Sequence, residues 1–525
     1  MIKISNRLYT ASAVRELDRR AIEDEGIPGI VLMKRAGREA FEALLARWPE
    51  PEKITVFCGG GNNGGDGYII AGLAQQRMIP VEIIQLATEQ ALSGDAHRAW
   101  AFANDSGVAM QSWQDYLSSG AGLASGVVVD ALLGIGVSGE VRGDYRGAIA
   151  DINQSGLPVL AADIPSGLCS DTGAVLGSAV AAAMTVTFIG IKVGLLTGRG
   201  PALTGELQFR DLAVPDLVYE GLGEQKMPLA AQRLELESLL AVFPPRERDA
   251  HKGRFGHVLV IGGDKGYGGA VAMAAEAALR VGAGLVSVAT RPEHVPALLA
   301  RRPELMVKAV TSGQELEPYL QSPTLIVIGP GLGRSPWSEQ MLQKAIGSGL
   351  PMVVDADALN ILSEGRVGAN ARANVGADAS PWVLTPHPGE AARLLACSNG
   401  DIQADRFSAC RQIAEKYSAT VLLKGAGTLI AGPALASDGG DGDSAESSLW
   451  LCPYGNPGMA SGGMGDVLAG IIGGLLAQGL ATATATCLGA CLHGVAADRA
   501  AAESGEKGLL ATDLLMPLRH LVNAR

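Results

Sequence analysis

The chain has 525 residues, 47% of them hydrophobic, enough to build more than one core and too apolar for a disordered protein. Its 42 basic and 54 acidic residues leave a formal charge of −12, which argues against a nucleic-acid partner, and 4% aromatics are too few for base-stacking platforms. Seven cysteines without a CxxC pair argue against a disulfide framework or a zinc site and make a reducing, cytoplasmic setting the expectation.

The chain opens without an apolar signal core. Val14, Leu17 and Ala21, then Met33, Ala36, Ala40, Phe41 and Leu44, recur at helical spacing. Short β-rich runs follow, alternating with helical stretches: ITVFC (54–58), VEIIQL (81–86), VVVDALL (127–133), PVLAADI (158–164) and MTVTFIG (184–190). Runs apolar throughout and one strand long predict a parallel sheet covered by helices on both faces, a Rossmann-like three-layer αβα domain. Periodicity fades over 211–233, so a boundary near Glu224 is expected, with domains at 1–224 and 225–525.

The same grammar restarts with HVLVIGG (257–263). It continues through GLVSVAT (284–290), TLIVIG (324–329), PMVVDA (351–356), WVLT (382–385) and TVLLKG (420–425). GYGGAVAMAAEAALRVGAG (266–284) predicts a helix beside the first strand, and Cys487 and Cys491 read as packing residues on a later one. The polar segment 434–450 reads as a loop or hairpin tip. VLAGIIGGLLA (467–477), the longest apolar run, is too short for a bilayer, so no membrane partner is expected.

The seventy glycines cluster after apolar runs, where they allow tight turns or close approach to a ligand. GGGNNGGDG (59–67) follows a strand and opens a helix at about Asp66. It reads as a bare turn or as a phosphate cradle built from backbone amides and a helix N-terminus. Asp130 and Asp163 stand at strand ends, where open α/β sheets bind ligands, and either could instead cap the next helix. Together with the Gly-rich loop after Asp130 and DIPSG (163–167), these motifs resemble the YjeF N-terminal family of NAD(P)H-hydrate epimerases over residues 10–215. The resemblance implies a hydrated nucleotide held by Asn62, Asn63, Gly64, Gly65 and Asp66. The loop Gly134, Ile135, Gly136, Val137, Ser138, Gly139 and Glu140, with Tyr145 and Asp163, would complete that site. It further implies potassium at Asn63, Asp130 and Ser166, and Asp163 as the acid/base group.

In the second half, GNPGMASGGMGDVLAG (455–470) delivers Asp466 at the mouth of an apolar helix. A carboxylate there can accept a proton from an attacking hydroxyl while glycine amides hold a phosphoryl group, or it can simply cap the helix. KGAGT (424–428), TPHPGE (385–390), GPGLG (329–333) and DADALN (355–360) stand in the order of the YjeF C-terminal family. These are the ADP- or ATP-dependent NAD(P)H-hydrate dehydratases of ribokinase-like fold, and the likeness spans residues 235–520. The resemblance implies substrate contacts from Ala270, Gly333, His387 and Asp466. It also implies nucleotide contacts from Lys424, Gly425, Ala426, Gly427, Thr428 and Gly465, with magnesium alongside. The expectation is therefore a homo-oligomeric, bifunctional enzyme acting on small molecules. A ribokinase-class kinase with a regulatory N-domain and a nucleotide-binding scaffold are the alternatives.

Overall fold

A computed structural model describes residues 4–120, 122–137, 139–220, 229–367, 381–432 and 449–524. It contains two compact units, Met1–Gln232 and Arg233–Arg525. Glu224, where the boundary was expected, lies outside the described residues, as do Ser138 and nearly all of the 434–450 segment.

The first unit is built on seven parallel strands. In spatial order they are Ala109–Ser112, Val81–Gln85, Ile54–Cys58, Val127–Ala131, Val159–Ala162, Met184–Phe188 and Glu206–Arg210. Numbered along the chain this is 3-2-1-4-5-6-7, so the order reverses between Ile54–Cys58 and Val127–Ala131. Right-handed crossovers then place helices on opposite faces of the two halves, and a crevice opens beyond the strand ends at the reversal. The loops leaving those two strands are so close that a Cβ on Gly59 would stand 1.9 Å from the Leu132 carbonyl, so only glycine fits. Arg7 and Leu8 pair antiparallel with Gln232 and Ala231, so the end of the stretch where periodicity fades forms a small strand.

The second unit repeats the plan. Its parallel order is Met306–Ala309, Leu285–Thr290, His257–Ile261, Leu325–Ile328, Met352–Val354, Trp382–Leu384 and Thr420–Leu423. Thr428–Ala431 and Leu449–Cys452 then continue the sheet antiparallel. The order reverses between His257–Ile261 and Leu325–Ile328. The helices Gly268–Val281 and Met464–Ala477 pack backbone to backbone here. A Cβ on Gly470 would lie 2.0 Å from the Ala274 carbonyl, one on Gly474 2.3 Å from a Val281 methyl, and one on Gly473 2.4 Å from a Val327 methyl. Cys487 and Cys491 are buried in the helix Thr482–Ser504, and all seven cysteines are free thiols.

Candidate active sites

In the first unit the helix after GGG begins at Asn62, four residues before the expected start at Asp66. Glycine is a poor helix former, so NNGG reads as loop. Packing overrides that preference: a Cβ on Gly64 would meet the Gly59 carbonyl at 2.0 Å and one on Gly65 the Met33 sulfur at 2.5 Å. These glycines let the first helical turn sink onto its neighbours, and Asn63 and Asp66 become buried.

The crevice at the strand reversal has a volume of about 720 Å³ and is lined by Asn62, Asn63, Asp66, Gly134, Ile135, Gly136, Val137, Tyr145 and Asp163. Gly64, Gly65, Gly139 and Glu140 do not line it, and Glu140 instead lies 3.9 Å from Arg142 on the surface. Asp163 adopts φ +66°, a left-handed conformation that non-glycine residues rarely accept outside functional sites. Its carboxylate pairs with the Lys192 ammonium and accepts from the Phe188 amide at 3.1 Å. Lys192 is 1% exposed. An isolated ammonium there would cost several kcal/mol, so this ion pair is a condition of the fold. Asp18 and Asp66 share the surroundings. Burial pushes Asp18 up to about 6, with Lys192 opposing and Asp163 adding, and burial raises Asp66 well above the carboxylate range. Asp18, Asp66 and Asp163 thus gather around the one ammonium of Lys192, and burial among like charges favours the protonated form of Asp66.

Below the crevice, Asp130 is fully buried. Its Oδ2 accepts from the Ser166 amide at 2.8 Å and its Oδ1 from the Ser166 hydroxyl at 2.5 Å. Loss of water outweighs these bonds and holds Asp130 up at about 6. Asn63 donates to the Leu133 carbonyl at 3.1 Å, which leaves its buried Oδ1 without a donor. A buried carboxylate beside an amide oxygen lacking a donor is an all-oxygen set of the kind that suits a hard cation. No group of three His, Cys, Asp or Glu among the described residues could hold a metal by itself.

In the second unit, Asp466 lies in the first turn of Met464–Ala477, after Gly463 in a left-handed conformation. Burial, then the Asp355 charge, push it up to about 7 against the pull of Lys424. Lys424 donates to Asp355 Oδ1 at 2.8 Å and lies 3.8 Å from Glu390. Its ammonium is thus held among carboxylates rather than in solvent. A Cβ on Gly465 would stand 3.2 Å from Lys424 Nζ and 3.4 Å from Asp355 Oδ2, so the helix mouth lies directly against this ion pair.

GPGLG packs against DADALN and the start of the helix Gly268–Val281. Gly333 donates to Asp357 at 2.9 Å, and a Cβ on Gly331 would stand 3.0 Å from that of Ala270. His387 accepts from the Gly389 amide at 3.0 Å through Nδ1, capping the helix Pro388–Leu395. That assigns its proton to Nε2, 3.4 Å from Glu390. Burial, with Lys424 and Arg393, keeps its pKa low, so the ring is neutral. Thr428 donates to the Gly425 carbonyl at 2.9 Å, folding KGAGT into a tight loop. His493, pulled to about 4 by burial, hydrogen-bonds the Met464 backbone two residues before Asp466. A separate cavity of about 790 Å³ lies at the far ends of the two packed helices, by Val281, Gly282 and Gln478. Its Arg246 is held by the Gly282 carbonyl and its Arg302 by Glu276.

Sequence reasoning assigned no role to Asp18, Lys192, Asp355, Asp357, Glu390 or His493. Lys192 left a signal, since a lone lysine in FIGIKVGLL (188–196) needs a buried partner.

Fold and sites define an α/β protein of two units, with a crevice of about 720 Å³ at the strand reversal of the first and a buried cluster of Asp466, Lys424, Asp355 and Glu390 in the second. The YjeF-related N-terminal family matches residues 29–194, and the NAD(P)H-hydrate dehydratase family matches residues 258–519. A bifunctional NAD(P)H-hydrate repair enzyme of Coxiella burnetii is 48% identical over 98% of this chain and 99% of its own length. That of Escherichia coli is 40% identical over 99% and 95%. The chain belongs to the family of bifunctional NAD(P)H-hydrate repair enzymes. Among solved structures, a ribokinase-like superfamily protein from Enterococcus faecalis is 30% identical, with a TM-score of 0.47 over 55% of this chain and 94% of its own. No helix among the described residues is long and apolar enough to cross a membrane.

Proposed function

We propose that the chain restores hydrated NADH and NADPH at two sites. The first unit interconverts the R and S epimers at the hydrated ring carbon. The second dehydrates the S epimer using ADP or ATP, giving AMP and phosphate from ADP.

The observation that carries the dehydratase reading is Asp466, poised at about 7 at a helix mouth beside Lys424 and Asp355. Hydroxide is a poor leaving group, so the ring hydroxyl must first be phosphorylated. Asp466 accepts the hydroxyl proton as the oxygen attacks the terminal phosphorus and the shortened nucleotide departs. The amides of Gly465 and of the helix N-terminus stabilise the charge on the transferring group. Phosphate then leaves with its electron pair, a proton leaves the neighbouring ring carbon, and the double bond of NAD(P)H returns. Lys424 through Thr428 hold the nucleotide, while Ala270, Gly333 and the Nε2 side of His387 face the substrate. Magnesium would be held chiefly by the nucleotide phosphates, needing only one or two carboxylates of the protein, and would neutralise charge on the transferring group.

In the first unit Asp163 handles the proton at the hydrated carbon and Lys192 fixes its position. Asn62, Asn63, Asp66, Gly134 through Val137 and Tyr145 surround the nucleotide, with Gly64 and Gly65 seating the helix that carries Asn62, Asn63 and Asp66. Potassium at Asn63, Asp130 and Ser166 would supply positive charge under the bound anion. Free cysteines suit a reducing cytosol.

The test is incubation of the purified chain with hydrated NADH and ADP or ATP, following nicotinamide absorbance and free phosphate. Return of absorbance with stoichiometric phosphate supports the reading. A stable phosphate ester without it would mean a small-molecule kinase.

A further inference from the structure

Arg406 opens the helix Arg406–Tyr417 and is 1% exposed. A buried guanidinium normally has a carboxylate beside it. No carboxylate pairs with this one among the described residues, and the adjacent Asp405 is spent on the Ser408 amide as a helix cap. The positive end of its own helix adds to the cost of the charge.

Its donors all point at one loop. Nη1 donates to the Lys424 carbonyl, and Nη2 to those of Leu423, Lys424 and Gly427, each at 3.4 Å. These bonds are long against the usual 2.9–3.0 Å or so, and Nε has no partner. The charge is therefore only partly satisfied. Carbonyl and N–H of a trans peptide point to opposite sides. With the Lys424 and Gly427 carbonyls turned toward Arg406, the Gly425 and Thr428 amides turn away from it. Gly425 has φ +141°, and a Cβ there would stand 2.6 Å from Nη1, so the guanidinium and the loop fit only with glycine.

We propose that Arg406 is a positioning residue of the nucleotide site. From beneath the 424–428 loop it aims amide groups at the bound phosphates and supplies the positive charge that those phosphates neutralise. The inference rests on the reading of this loop as the nucleotide loop, and its ligand class is the polyphosphate, not the nucleoside. A residue that only held the hairpin in shape would affect both ligands alike.

The experiment measures dissociation constants of ADP with magnesium and of adenosine, by calorimetry on the full chain. Arg406→Met, which keeps volume and removes charge, is expected to weaken ADP by about tenfold or more and leave adenosine within about twofold. KM for ADP should rise while kcat at saturation stays within about threefold. Arg406→Lys restores the charge and should recover most of the ADP affinity. Where the Met variant does not fold, Arg406→Gln, which retains two donors, carries the same expectation. Unchanged ADP affinity, or equal weakening of ADP and adenosine, overturns the role of Arg406 and leaves the nucleotide loop standing. Amide exchange on the wild-type chain tests the loop separately. Protection of 424–428 by ADP supports the reading, and its absence overturns both.

Discussion

Replacing Asp466 by Asn should make the dehydratase half slower and more stable at once. An aspartate in an unfolded chain titrates near 3.9, and burial beside Asp355 holds Asp466 at about 7. A raised folded value on an acid means that ionisation opposes folding. The cost is absent below about pH 4, where both states are protonated, grows as pH rises, and is complete above about 7. Three pKa units correspond to about 4 kcal/mol, and partial solvent access reduces that to about 1–3 kcal/mol. Asn carries no charge to desolvate, so the variant should melt a few degrees higher at pH 8 and level with the wild type at pH 4. Its dehydration rate should fall about 10²–10⁴-fold, about 3–5 kcal/mol of barrier. In the wild type the rate should rise about tenfold per pH unit up to about 7, because the base works only when ionised. Calorimetry at both pH values and an absorbance assay with the S epimer measure all three. Activity within about threefold of wild type, or a melting difference that does not depend on pH, would falsify the assignment.

Asp163→Ala should leave dehydration of the S epimer intact and block use of the R epimer beyond its spontaneous interconversion; equal slowing of both would assign Asp163 to the wrong reaction. Lys192→Met should slow epimerisation by about 10²-fold or more by freeing the Asp163 carboxylate, with S-epimer dehydration unchanged. Exchanging potassium for tetramethylammonium should slow epimerisation alone, and Asn63→Ala should abolish that ion dependence; ion-independent epimerisation by the wild type would remove the potassium site. Residues 233–525 expressed alone should dehydrate the S epimer, and residues 1–232 should epimerise without any nucleotide, since each unit has its own sheet and core. Fragments that melt cooperatively but show no activity would contradict that independence.

Strands buried on both faces announce themselves. Ile54–Cys58 and His257–Ile261 fall within runs read directly from their apolar character. Edge strands such as Ala109–Ser112 and Met306–Ala309 escape, because a half-exposed strand needs no continuous apolar run and theirs contain Gln and Lys. Asp163 and Asp466 were legible because glycine and proline around them mark backbone that ordinary elements do not use. Their partners were not. Lys192, Asp355 and Glu390 reach these sites through pairings of strands distant in sequence, and no local pattern carries that information. The helix start at Asn62 was missed for the opposite reason: propensity spoke clearly there, and packing overruled it.

The three glycines on the inner side of Met464–Ala477 also bear on engineering. Converting helical glycines to alanine is a routine route to heat resistance, worth about 1 kcal/mol per site in an open helix. At 470, 473 and 474 the added methyl would meet a carbonyl, a strand side chain and a neighbouring helix. Each change would push the helix outward and carry Asp466 away from Lys424. A variant library scored on melting temperature alone would treat these positions as opportunities, whereas one scored on turnover would find them closed, far from any atom of substrate.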